Sequence, residues 1–139
     1  MTRAATSSAK SETPSLSRLR WGRIIGGAFL VELVLVIILV PPLQLLGPAK
    51  VIPFVAPAVA ILSFIVTWWI LRKVPQRQVL HGALIGIVAT AIYIGLCLVN
   101  PDGIQSVIAM YGLAGFIAGN GLRIVGCMAG GYALKSRAR

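Results

Sequence analysis

Acidic residues are nearly missing from this chain: Glu12, Glu32 and Asp102 are the only three in 139 residues. No paired carboxylates for acid–base chemistry can be read from so few. Histidine occurs once, as His81, and cysteine twice, as Cys97 and Cys127. That excludes an intrachain zinc site of the usual four-ligand type. Neither a nucleophile–base set nor a phosphate-binding loop appears, so no catalytic residue, cofactor or metal is expected and the chain does not read as an enzyme. Charge of either sign is scarce as well, at 12% of residues, where soluble domains carry roughly 25%.

What fills the chain is apolar residues, 58% of the total. They lie in long runs with few charges, the mark of a polytopic membrane protein. The expected fold class is all-α: a bundle of four transmembrane helices over residues 18–139. The spans are read at about 22–40, 51–71, 79–99 and 108–134, each able to supply the roughly 20 residues that a bilayer core demands. Pro41 and Pro42 are expected to stop or kink the first span, because proline removes a backbone donor and clashes one turn back.

The net charge of +10 does not point to nucleic acid, because the basic residues flank the spans instead of forming a patch on a folded domain. Arg3, Lys10, Arg18, Arg20 and Arg23 precede the first span; Arg72, Lys73 and Arg77 lie between the second and third; Lys135, Arg137 and Arg139 close the chain. The opposite connections hold only Lys50 and Asp102. The positive-inside rule then predicts both termini in the cytoplasm (N-in/C-in) and the lipid bilayer as the first partner. Trp21, Trp68, Trp69 and Tyr132 fall at the same ends, where amphipathic rings favour the headgroup zone. Residues 1–17 are rich in Ser, Thr and Ala without apolar periodicity and read as a disordered cytoplasmic tail. The polar lead is too long, and the apolar run too extended, for a cleaved secretory signal. The expected location is a bacterial cytoplasmic (inner) membrane.

Two connections and one span invite closer reading. The stretch Pro41–Pro57 holds Pro41, Pro42, Pro48, Pro53 and Pro57 and is expected to form a rigid interfacial turn or a re-entrant cap. Asn100-Pro101-Asp102-Gly103 is turn chemistry. In the fourth span, Gly112, Gly115, Gly119, Gly126 and Gly130 recur at helical spacing, with Gly115/Gly119 and Gly126/Gly130 as GxxxG pairs; Gly82/Gly86 adds one in the third. Small residues let helix backbones approach where lipid removes the hydrophobic drive, so these glycines are expected at helix–helix contacts. Gly119-Asn120-Gly121 combines a poor helix former with a residue that competes for backbone hydrogen bonds. The fourth run, Ile104–Leu134, is about 45 Å long if fully helical, so either its first residues lie outside the span or the helix breaks near Asn120, and Asn120 and Tyr93 are the candidate residues for such a break or for a cavity.

Two opposite charges sit inside apolar spans: Glu32 in the first and Arg123 in the last. An ionisable group there is costly and generally partnered or functional. Helix rise puts Glu32 about 13–14 Å and Arg123 about 18 Å from the cytoplasmic boundary. Arg123 shares the glycine face, so it turns toward protein. Glu32 has three open readings: structural partner of Arg123, proton-coupling carboxyl, or a neutral or snorkelling side chain without a role. His81 opens the third span near Arg77 and reads as interfacial rather than as a proton relay. Cys97 and Cys127 lie at depths of about 27 and 12 Å, which excludes an intramolecular disulfide, since that needs Cα atoms within about 7 Å.

Gly26-Gly27-Ala28-Phe29-Leu30-Val31-Glu32 resembles the first helix of small multidrug resistance transporters, and Ala89-Thr90-Ala91-Ile92-Tyr93-Ile94-Gly95 is similar to their third. That family has four spans and a membrane-embedded Glu that binds protons and cationic substrate in turn. The resemblance implies Glu32 as coupling carboxylate and Tyr93, where the family has Trp, as a substrate-facing aromatic. The chain departs from the pattern in Leu33–Leu39, which lacks the small residues and the Lys that follow that Glu, in its longer connections, and in Arg123, which opposes a cation. The leading functional expectation is a non-enzymatic accessory, assembly or subunit component, acting with a membrane-protein partner or as a homo-oligomer. The alternative is a small proton-coupled transporter built on Glu32.

Overall fold

Long apolar runs fill every span, and the computed structural model is all-helical over the described residues. It describes residues 19–74 and 76–137, with no strand among them. Four helices follow in order: α1 (Trp21–Leu46), α2 (Pro48–Leu71), α3 (Gln78–Val99) and α4 (Gly103–Arg137). Each is long and apolar enough to cross a bilayer, which fits a multi-pass membrane protein. Phe29, Ile37, Phe54, Ile61 and Leu98 point outward, as expected of surfaces bathed in lipid tails. The tail expected over residues 1–17 lies outside the described residues.

α4 packs closely on both α2 and α3, and α1 packs on the other flanks of the same two helices. α1 and α4 therefore occupy opposite corners, with no pair of Cα atoms within 8 Å. On α1 the buried residues are Ile24, Gly27, Ala28, Val31, Glu32 and Leu35, a single stripe at i, i+3, i+4 and i+7 spacing. The stripe stops at Leu35. On α3 burial stops at Ala89, and on α4 it begins only at Arg123. The core thus fills one half of the bundle; toward Gly47 and Asn100 only Val51 of α2 is buried among the helix residues, and that half is open.

The charges sort to the bundle's ends. The Arg20 backbone N–H donates to His81 Nε2 (3.3 Å), tying the start of α1 to the start of α3. The His81 Nδ1 lies 3.0 Å from the Arg77 carbonyl, so a ring protonated on Nδ1 satisfies both contacts. His81 is fully buried and forms a packed clasp between the starts of α1 and α3. Gly131 of α4 rests on Gln78 at that same end. Arg20, Arg23, Arg72, Lys73, Arg77 and Lys135 gather there, and the far end carries Lys50 and Asp102.

Three expectations are corrected. First, α1 does not end at Val40. It runs through Pro41 and Pro42 to Leu46, and α2 likewise contains Pro53 and Pro57. Proline's fixed φ is itself helical, so the backbone continues through these residues at the cost of the hydrogen bond that each missing N–H would have made. The connection is Gly47 alone, at φ 79° and ψ 156°, backbone that favours glycine. Neither an extended turn nor a re-entrant cap occupies Pro41–Pro57. Second, α4 breaks at Gly112 (φ 72°, ψ 161°) and not at Asn120. Asn120 stays helical because its side chain bonds back within the helix: Nδ2 donates to the Phe116 carbonyl at 2.9 Å.

Third, the glycine stripe is not one contact face. A Cβ on Gly126 or Gly130 would strike the backbone of α2 at Ala60 or Phe64, and one on Gly82 or Gly86 would strike α4 at Cys127 or Ile124. These four sit at close helix approaches. Gly112 and Gly119 face open space, and Gly115 meets only its own helix at Tyr111. Gly112 supplies the break, and Gly115 and Gly119 leave room.

Candidate functional site

Position on α4 decides where Arg123 points. At about 100° per residue, Arg123 lies between the α2-facing pair Gly126/Gly130 and the α3-facing set Ile124, Cys127 and Gly131. Its side chain is therefore directed down the diagonal toward α1. There its Nε lies 3.1 Å from Glu32 Oε1, with both side chains about 6% exposed. The contact is an ion pair by distance, but neither of these two atoms has an aligned hydrogen bond among the described residues. Two helices that do not touch through their backbones are thus joined by two charged side chains.

Arg123 has further anchors. Its Nη1 donates to Asn120 Oδ1 at 2.9 Å, one turn earlier on the same helix. Its guanidinium carbon stands 4.5 Å from the centre of the Tyr93 ring, a cation–π contact. Tyr93 in turn stacks obliquely on Phe116 at 6.3 Å. So the residues singled out in the sequence for separate reasons, Glu32, Arg123, Asn120 and Tyr93, converge on one cluster. Cys127 is buried beside it, its Sγ 3.9 Å from the Ser63 carbonyl, while Cys97 is half-buried; both are free thiols.

The cluster forms the floor of a cavity of about 310 Å³ that extends toward the open half of the bundle. Its walls are apolar: Leu35, Leu39 and Leu43 from α1, Val55 and Val59 from α2, Val107 and Met110 from α4. Gly115 and Gly119 also line it, and their missing side chains keep it open. Tyr111, beside the Gly112 break, is a further lining residue that the sequence reading missed. An aromatic next to an isolated glycine was the one available signal. Among the described residues, no group of three His, Cys, Asp or Glu is placed to hold a metal ion.

Chemically the floor offers one fixed cation, one carboxylate and an amide, facing a cavity that opens toward the Gly47 end. That arrangement can lock helices together or select a charged group entering from the cavity. In comparisons with known proteins, no family model, curated protein or solved structure matches this chain.

Proposed function

We propose that this chain is a non-enzymatic, multi-pass protein of a bacterial cytoplasmic membrane, with both termini cytoplasmic, that works as an accessory, assembly or subunit component. The observation that supports this reading is the Glu32–Arg123 strut across the helix diagonal. The most costly groups in the bundle meet each other, and their contact spans the gap that the backbones leave open. The orientation is supported by the gathering of Arg20, Arg23, Arg72, Lys73, Arg77 and Lys135 at one end. Native mass spectrometry of the C-terminally tagged protein, extracted with its lipid from its own host, tests the reading. A stoichiometric foreign subunit is expected. A homo-oligomer that moves protons through Glu32 would overturn it.

A second reading, a small proton-coupled transporter, is favoured by one observation: Glu32 lies at the floor of a cavity. Arg123 already compensates the carboxylate and would repel a cationic cargo. The coupling role therefore requires proton flux that Glu32→Gln abolishes in a protein that still folds.

A further inference from the structure

We propose that the cavity above the ion pair binds an aliphatic monocarboxylate, whose carboxylate takes the place of Glu32 on Arg123 while Glu32 takes up one proton. This goes beyond the accessory reading and is tested independently of it.

Three observations carry the assignment. The first is the unequal hold on the two charges. Arg123 is fixed by Asn120 and by the Tyr93 ring as well as by Glu32. The Glu32 Oε1 has only the unaligned contact with Arg123 Nε. Glu32 is therefore the exchangeable member, and Arg123 is a prepared anion site. The second is charge. A guanidinium does not lose its proton, so a cation entering the cavity would stand against an uncompensated Arg123. An entering anion meets it directly. Two anions facing one cation are unfavourable away from water, and the proton that lands on a Glu32 oxygen from the aqueous side restores neutrality. The third is shape. The walls are aliphatic, and the volume of about 310 Å³ lies at the small end of ligand cavities, roughly 300–1,000 Å³. One short acyl chain fits the apolar walls.

The titratable and charged groups around Glu32 are few. α4 contributes Arg123, Tyr111 and, deeper, Cys127; α3 contributes Tyr93; α2 gives only Val55 and Val59 to the wall. Glu32 is the one carboxyl among them, so it is the group that takes the proton.

The test is calorimetric titration of decanoate into the full chain in nanodiscs, with empty nanodiscs as reference, in two buffers of different protonation enthalpy. We expect saturable binding with about one proton taken up per decanoate, weakening by about tenfold per pH unit at higher pH. Decanol should bind without proton uptake. Glu32→Gln should bind decanoate with no proton uptake and no pH dependence. Gly119→Leu fills the cavity from a position with nothing within 4 Å, so it should fold and lose at least tenfold in affinity. The proposal is overturned by an absence of saturable binding, by binding without proton uptake, or by Gly119→Leu binding as tightly as the wild type. If Glu32→Gln fails to fold, the decanol comparison and Gly119→Leu still decide the matter.

Discussion

Removing one charge of the Glu32–Arg123 strut should cost far more than removing both. Breaking a buried pair leaves an uncompensated charge, at about 3–5 kcal/mol in a closed site. The site here is less severe. Glu32→Gln leaves Arg123 with Asn120 and the Tyr93 ring, and the new amide keeps an acceptor near Nε. The cavity also gives the orphan guanidinium access to water. A loss of about 2 kcal/mol is expected. Arg123→Gln should cost about the same at pH 8. Its cost should shrink at lower pH, because an orphaned carboxylate can accept a proton whereas an orphaned guanidinium cannot release one. The double variant should cost about 1 kcal/mol, giving a coupling near 3 kcal/mol, the upper end for contacting pairs. Reversible unfolding in mixed micelles, followed by circular dichroism across pH 5–8, measures all four corners of the cycle. If the double variant is as unstable as the two single losses combined, the side chains act independently and the strut does not exist. If Glu32→Gln, rather than Arg123→Gln, is the variant that recovers at low pH, the assignment of which charge is fixed is wrong.

The glycines should divide by site. Gly82→Ala and Gly126→Ala, which drive a Cβ into the backbone of Cys127 and Ala60, should lower Tm, whereas Gly119→Ala, facing open space, should gain up to about 1 kcal/mol of helix propensity. Equal Tm values across the three would refute the division. Gly112→Ala should destabilise by roughly 1–3 kcal/mol, because backbone at φ 72° and ψ 161° is essentially restricted to glycine; an unchanged Tm would mean that the break is not held in the folded protein. Reporter fusions at either terminus should be active only as cytoplasmic reporters, and a cysteine at Lys50 should react with an impermeant maleimide from outside.

Helix number and approximate extent were legible because apolar run length is a strong signal: the third span, expected at about 79–99, is observed as Gln78–Val99. The first span differs because Pro41 and Pro42 were expected to stop or kink it, whereas α1 runs through both to Leu46. The break in α4 was assigned to Asn120 by propensity, and it fell at Gly112 because positive φ selects glycine while the Asn side chain found partners inside the helix. The charged residues of the site were visible as polar intruders in apolar runs. For the cavity only Asn120 and Tyr93 were singled out; its walls were not, since Leu39, Val55, Val59 and Met110 look like any lipid-facing residues until the packing of α4 is known.

The cavity and the ion pair have one cause. Gly126 and Gly130 bring α4 onto α2, and Gly82 and Gly86 bring α3 onto α4. Two close approaches on adjacent flanks leave α1 to the far corner, where no pair of α1 and α4 Cα atoms comes within 8 Å. A gap of that width on the diagonal can be bridged only by a long side chain placed between the two glycine faces, which is where Arg123 stands. Toward the Gly47 end, Gly115 and Gly119 carry nothing that would fill the same gap, and Gly112 interrupts α4, so the gap remains as a cavity. Substituting larger residues for the lower glycines should therefore disturb the strut as well as the packing. The same change at the upper glycines should close the cavity and leave the strut intact. A bundle in which either change affected both features equally would not be organised in this way.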